Sequence, residues 1–302
     1  MIHRNEYATE AEWLAARAAY VTASDAAILC GEGRINAYAY WHEKAGNVTP
    51  EPMGADLAKW GHELEAAMCQ WCHDKLATEY KYVSVCLQPH VLWSNDAFPA
   101  LAATPDALLF YGDNADAPTR SVVECKNRAF ESWKEGVPLD VQIQVQVQLG
   151  ILELDHGYVM AQLGGRPPQM FRLEFNEKFF KAIHAEAQKF LDSIAKGIEP
   201  TIDGSERARK TLRKLNSKIG LDMVQLDEQA RILDEEYARI RAERLALEKR
   251  EAEIENVIEQ AIGDGAAGML PNAIWTRTVV ARDGYTVKPT THLQLNRKER
   301  KV

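Results

Sequence analysis

No apolar run in this 302-residue chain approaches the roughly 20 residues a bilayer-spanning helix needs, so no membrane span is expected. The opening Met1-Ile2-His3-Arg4-Asn5-Glu6 lacks the apolar core of a secretory signal. Cysteines number only five, and an odd count without an export signal argues against a disulfide framework. Free thiols in a reducing cytoplasm are the expectation. There is no internal repeat and no low-complexity tract. What remains is a soluble globular composition, 46% hydrophobic, long enough for one large domain or a domain with an appendage.

Basic charge is also in short supply. The net charge of −8 speaks at first against a nucleic-acid partner, but its distribution is uneven. Residues 205–302 carry 19 Lys and Arg against 16 Asp and Glu, a balance of +3 that leaves −11 for residues 1–204. An enzyme that touches a few phosphates needs only a local basic groove, and a carboxylate site adds negative charge that a metal neutralises. Net charge therefore excludes little.

The pattern predicts alternating helices and strands. Thr9-Glu10-Ala11-Glu12 is a capping box that opens a helix to about Ala19. Ser24–Leu29 forms a second short helix, stopped by Gly31 and Gly33, and Leu57 to about Glu79 a longer one with Trp60, Leu64, Met68, Trp71 and Leu76 as its apolar face. A β-rich block follows at Tyr82–Leu87, Val91–Ser94, Ala107–Tyr111 and Ser121–Lys126, with 112–118 as a hairpin loop. Leu139–Leu154 is expected to be helical despite its alternating Val and Gln. Tyr158–Leu163 and Gln169–Leu173 pair around Gly164-Gly165, and Asn176 caps a helix to about Lys196. Gly197 and Pro200 end this core. Residues 205–262 are expected to be long-period helix, with Leu226, Ala230, Leu233, Tyr237, Ile240, Leu247, Ile254 and Ile258 at near-heptad spacing. A small hairpin at Ile274–Arg282 and Tyr285–Lys288 precedes the basic end Arg297–Lys301.

Chemistry concentrates around Thr104-Pro105-Asp106 and Glu124-Cys125-Lys126. Side chains alternate along a strand, so Glu124 and Lys126 share one face and Cys125 takes the other. Two carboxylates there make a hard-oxygen cradle for Mg²⁺ or Mn²⁺, and the amine beside them can orient water and steady a phosphate. That equipment suits metal-assisted phosphodiester hydrolysis. In Gly61-His62-Glu63-Leu64-Glu65, Gly61 is expected to let the helix approach its neighbour closely and Glu65 to reach the same place. The plainer reading of each charge is a solvated face or an ion pair.

The ordered set Arg17…Ser24, Gly61-x-x-x-Glu65, Thr104-Pro105-Asp106, Glu124-x-Lys126 and the Gln144-Val145-Gln146 helix resembles the lambda exonuclease (YqaJ-like) recombination nucleases of the PD-(D/E)xK superfamily, over roughly residues 10–200. The resemblance implies a restriction-endonuclease-like α/β core, a mixed central sheet flanked by helices, over residues 1–204; the pattern of the chain adds a long-helix and β-hairpin appendage over 205–302. It implies that Asp106 and Glu124 bind catalytic Mg²⁺, for which Mn²⁺ can substitute, with the Cys125 carbonyl as a further ligand and Glu65 at a second metal or its water. Lys126 positions or deprotonates the attacking water, and Gln144 orients both; Gln146 is the second choice for that role. Arg17 and Ser24 resemble a pocket for the 5′-phosphate of a DNA end, though alone they also read as an ion pair and an N-cap. The implied activity is 5′→3′ digestion of double-stranded DNA ends that leaves 3′ tails for a single-strand annealing protein. Ring trimers or similar oligomers, a phage or prophage origin and action in the bacterial cytoplasm go with it. An endonuclease of the same superfamily and a non-catalytic DNA-end or partner-binding module are the alternatives.

Three other motifs carry weaker signals. Asp96 sits where an acidic residue also occurs in the resembled family, but it equally fits a turn after Ser94-Asn95. Cys69-Gln70-Trp71-Cys72-His73 matches a haem-attachment pattern inside a helix expected to pack on the sheet, so buried thiols are expected rather than haem or an iron–sulfur cluster. Cys30, Cys86 and Cys125 lack the spacing of a four-cysteine cluster. The heptad-like rod either packs on its own core or a neighbouring subunit, or docks the annealing protein.

Overall fold

The structure, a computed structural model, describes residues 1–51, 54–218, 220 and 222–279. It divides into two units, Met1–Ser217 and Lys218–Val302.

The first unit is built on a five-stranded mixed sheet in the order β3 (Tyr82–Leu87), β6 (Ala107–Gly112), β7 (Thr119–Arg128), β8 (His156–Leu163), β9 (Gln169–Glu174). All neighbours are antiparallel except β7 and β8, which run parallel with Glu124 opposite Val159. Parallel neighbours need a crossover, and helix α5 (Leu139–Leu152) supplies it. A four-stranded sheet, β1 (Ile2–Glu6), β4 (Val91–Asn95), β5 (Leu101–Ala103) and β2 (Val21–Thr22), takes the remaining strands. The strand at Val91 thus belongs to a different sheet from β3, which precedes it in the chain.

Alternation along β7 sorts side chains between two cores. Val123 and Cys125 pack with Met68, Cys69, Cys72 and Leu76 of helix α4 (Ala55–Leu76). Val122 packs on the other side with Val145, Leu149, Val159 and Phe180. The α4 stripe at 68, 69, 72 and 76 leaves Trp60 and Trp71 about 100° or more round the helix, so both are exposed rather than part of the apolar face. Gly61 is also not a close-approach glycine: a Cβ there meets open space.

Helix α5 shows why alternation misled. Its odd positions from Val141 to Ile151 are all fully buried, and so are Gln146 and Gln148. A helix enclosed on every side has no amphipathic period to display. It packs on α2 (Ala23–Leu29), on α6 (Glu177–Ala195) and on strands of both sheets. At Gly150 a Cβ would lie 2.3 Å from the Phe180 ring, so only glycine lets α6 this close. Glu153, left-handed at φ 54°, ends the helix.

Caps fall as the chain's composition implies. In α1 (Glu10–Arg17) Thr9 Oγ1 accepts from the Glu12 N–H, and the Glu12 carboxylate accepts from the Thr9 N–H. Asn176 Oδ1 accepts from the Phe179 N–H to open α6. Helix α3 (Ala37–Lys44) has no counterpart in the sequence reading, because Tyr38 to His42 are all buried and no polar face marks it. Helix α7 (Glu206–Leu215) packs on α3, which carries the first unit past residue 204 to Ser217.

The expected continuous helix over 205–262 is interrupted where the second unit begins. α7 and α8 (Glu228–Ile262) are separate helices, and α8 alone is about 52 Å long. None of its residues is buried within the unit. The hairpin also shifts: β10 (Ala267–Leu270) pairs with β11 (Ala273–Thr276), and the expected strand at Tyr285–Lys288 and the basic end lie outside the described residues. Among the described residues no helix is long and apolar enough to cross a membrane.

Candidate active site

Strand β7 carries Glu124 and Lys126 on its α5 face, and β6 begins just after Asp106. Glu124 is almost fully buried, and its hydrogen-bond donors are side chains of β7 and α5. Lys126 Nζ donates to Oε1 at 2.5 Å, Gln144 Nε2 to the same oxygen at 2.7 Å and Gln148 Nε2 to Oε2 at 2.6 Å. Asp106 Oδ2 accepts the Cys125 N–H at 2.7 Å, which ties the half-buried aspartate to the middle of the Glu124–Lys126 segment. Glu65 comes from α4, on the opposite side of the sheet, and meets this group through charge.

Electrostatics follow from three carboxylates with one ammonium between them. Burial, then the Glu124 charge, pushes the Asp106 carboxyl well above the usual range. Burial also raises Glu65, with Glu124 adding to it against His62 and Lys126. Burial alone would lower Lys126, but the Glu124 and Asp106 charges outweigh it and hold the ammonium above its ordinary value. Lys126 is therefore a held cation, suited to placing water and countering charge rather than to taking up a proton.

The excess negative charge tests the fit of a divalent cation. Asp106, Glu124 and Glu65 offer hard oxygens, and carboxylates raised or crowded by one another are what such an ion relieves. Among the described residues no three His, Cys, Asp or Glu close a metal cage by themselves. Mg²⁺ does not require one, since it keeps several waters and is held by one or two carboxylates plus substrate phosphate. The donor set fits Mg²⁺.

The glutamine register differs in part from expectation. Gln144 faces the site, whereas Gln146 turns away, donating to the Glu174 carbonyl and accepting the Asn176 N–H, both at 2.7 Å. Gln142 donates to the Val137 carbonyl at 2.6 Å. The second glutamine of the site is Gln148, which belongs to the period-two run Gln142, Gln144, Gln146, Gln148 but was not the choice made from sequence; residues four apart share a helix face, and that spacing was the available signal. Replacing Gln148 with Leu is expected to destabilise the fold by about 1–3 kcal/mol, because Glu124 Oε2 loses its donor in a buried place. Urea unfolding would check this, and an unchanged midpoint would contradict it.

A second polar cluster forms where α1 meets α2. Arg17 Nη2 donates to Ser24 Oγ at 3.1 Å and to Thr22 Oγ1 at 3.3 Å, with its guanidinium 4.3 Å above the Trp13 ring. Thr22 Oγ1 and Tyr40 OH both donate to Asp25 Oδ2, at 2.8 and 3.2 Å. Lys44 Nζ donates to the Arg17 carbonyl at 3.0 Å and also binds the Ala18 and Tyr20 carbonyls, which pins the loop after α1. Ser24 is not the N-cap of α2; Thr22 holds that place. Strand β2 pairs Thr22 with Ala102, and Ala102 precedes Asp106 by four residues, about 13 Å of extended chain at most.

Asp96 and the cysteines complete the set of candidates. Asp96 is exposed and bound by His3 Nε2 at 2.8 Å and by the amino terminus at 3.4 Å. Cys69, Cys72 and Cys125 are buried free thiols, while Cys30 and Cys86 are exposed.

Residues 12–155 match the family model of the YqaJ-like viral recombinase domain. Among solved structures the chain is similar to LHK-Exo in complex with dAMP, at 20% identity over 62% of this chain and 94% of that one, with a TM-score of 0.48. It is also similar to the alkaline exonuclease LHK-Exo from Laribacter hongkongensis, at 20% identity over 68% and 99%, with a TM-score of 0.43. A protein from Eubacterium rectale described as an exonuclease aligns at 10% identity over 73% and 97%, with a TM-score of 0.43. No curated protein sequence matches the chain. The stretch that matches this family model holds Arg17, Ser24, Asp106, Glu124 and Lys126, the residues whose spacing resembles the family.

Proposed function

We propose that this protein is a Mg²⁺-dependent 5′→3′ exonuclease acting on double-stranded DNA ends and leaving 3′ single-stranded tails for an annealing partner. The YqaJ-like domain carries the coarser part, a nuclease that hydrolyses DNA. The observation that carries the rest is the convergence of Lys126, Gln144 and Gln148 on the buried Glu124 beside Asp106.

Asp106 and Glu124 would hold the divalent ion, with the Cys125 carbonyl as a further ligand and Glu65 at a second ion or its water; such an ion would counter charge on the attacking and leaving oxygens. Lys126 places the attacking water and adds positive charge where the phosphorane develops. Gln144 and Gln148 hold the Glu124 carboxylate in one orientation, so little reorganisation accompanies reaction. Arg17 and Ser24 take the 5′-phosphate as a guanidinium fork and a hydroxyl donor, with Trp13 fixing the guanidinium plane. The short span from Thr22 to Asp106 sets that phosphate near the scissile bond. The first unit is the catalytic core, the α8 appendage serves assembly or partner contact, and a homo-oligomer, a ring trimer in the simplest case, keeps the enzyme on its substrate.

Linear and covalently closed circular duplexes supplied with Mg²⁺ test the reading. An exonuclease degrades only the linear form; cutting of both identifies an endonuclease, and cutting of neither a binding module. Arg17→Ala is expected to lose the preference for 5′-phosphorylated over unphosphorylated linear ends by about tenfold or more, the worth of one charged hydrogen bond. Equal loss on both kinds of end would remove Arg17 from that pocket.

A further inference from the structure

On the α4 side of the sheet two thiols face each other directly behind the candidate active site. Cys69 Sγ lies 3.8 Å from Cys125 Sγ, which is sulfur–sulfur contact. Cys125 stands between Glu124 and Lys126, and its N–H holds Asp106. Cys69 follows Glu65 by one helical turn, and Cys125 Sγ also approaches the Glu65 carbonyl at 3.9 Å. The pair therefore bridges the elements that deliver Glu65 and Glu124, and Cys125 also holds Asp106 through its N–H. Cys69 is not sealed off. With Ala66, Gln70, His73, Val85 and Leu87 it lines a surface cleft of about 140 Å³ between α4 and β3, large enough for a small oxidant.

We propose that Cys69 and Cys125 are an oxidative modification site, closing to a reversible disulfide that disables the nuclease. The oxidant class is a peroxide. A peroxide oxygen is transferred to Cys69 sulfur, giving a sulfenic acid and one water (or alcohol) as the O–O bond breaks. Cys125 sulfur then attacks Cys69 sulfur, the S–S bond forms, and the sulfenic oxygen leaves as a second water with the Cys125 proton. Two thiols lose two electrons and the peroxide gains them. Bringing the sulfurs from 3.8 Å to about 2.05 Å draws β7 and α4 together at Cys125, displacing the N–H that orients Asp106 and the turn that carries Glu65. Loss of activity is the consequence, and this half of the proposal rests on the nuclease reading.

The experiment treats the full chain with hydrogen peroxide, digests it without reduction and maps disulfides by mass spectrometry, with nuclease activity measured in parallel. A 69–125 linked peptide, at least tenfold lower activity, and recovery of both on adding dithiothreitol are expected. Cys69→Ala should keep its activity under the same treatment, and Cys69→Ser serves if that variant folds poorly. Oxidation confined to the exposed Cys30 and Cys86, or a 69–125 link that leaves activity unchanged, would overturn the proposal. Because the linked peptide is read without any activity, a protein that never cuts DNA refutes the function and leaves the disulfide to be judged alone.

Discussion

Asp106→Asn is expected to melt at a higher temperature than the parent protein and to cleave no DNA. The substitution keeps the shape and an oxygen to accept the Cys125 N–H, but removes one of three carboxylates that crowd a single ammonium. Its sign follows from the raised Asp106 carboxyl. Folding favours the protonated form, so that contribution is fully present below the ordinary value of 3.8 and is lost as pH rises through the higher folded value. The advantage of the Asp106→Asn variant over the parent should therefore widen as pH climbs from about 4 toward neutrality, reaching a few degrees in Tm, the scale of about 1 kcal/mol in a domain of this size. Mg²⁺ should raise the parent's Tm and leave the variant's nearly unmoved. Melting curves across pH, with and without Mg²⁺, check all of this. A variant that melts lower than the parent at neutral pH would mean that Asp106 stabilises the fold and is not held there for chemistry.

Lys126→Ala is also expected to abolish most cutting, but with the opposite effect on stability. Removing one electrostatic catalytic group costs about a hundredfold or more in rate. Here the Glu124 carboxylate also loses its counter-ion while remaining buried, and breaking such a pair from one side costs about 3 kcal/mol. Gln144 and Gln148 remain as donors, so the chain is expected to fold and, on the proposed role of Arg17 and Ser24, still to bind DNA ends. Single-turnover rates, an end-binding titration and a melt on the same preparation separate these effects. Near-normal turnover would take Lys126 out of the mechanism. Loss of end binding along with turnover would show that the change is structural. Two inactive variants whose melting temperatures move in opposite directions make a signature that a merely damaged protein does not produce.

The chain exposes some of this plan and conceals the rest. Glu124 and Lys126 were legible on one face because strand alternation is a rigid rule, and Cys125 on the other followed from it. The capping box at Thr9 and the cap at Asn176 were legible because their hydrogen bonds are local. The buried helix α5 hid its register: Val and Gln alternate at period two, and only packing on both sheets decides that Gln144 and Gln148 face Glu124 while Gln146 turns to Glu174. Helix α3 was concealed for the same reason, being buried nearly all round. Strands β2 and β5 are two and three residues long and exist by pairing with each other and, for β5, with β4, which no local pattern encodes. The apolar stripe of α4 was misread because tryptophan was given the weight that cysteine in fact carries.

Helix α5 has a consequence for how this protein fails when warmed. Its amides belong to the class that opens only when the whole unit comes apart, since every apolar side chain from Val141 to Ile151 is out of water. The grip of Gln144 and Gln148 on the carboxylate thus outlasts any local loosening. Arg17, Trp13 and Ser24 sit in shallower, partly wetted ground. Discrimination between kinds of DNA terminus should fade on heating before the capacity to cut does.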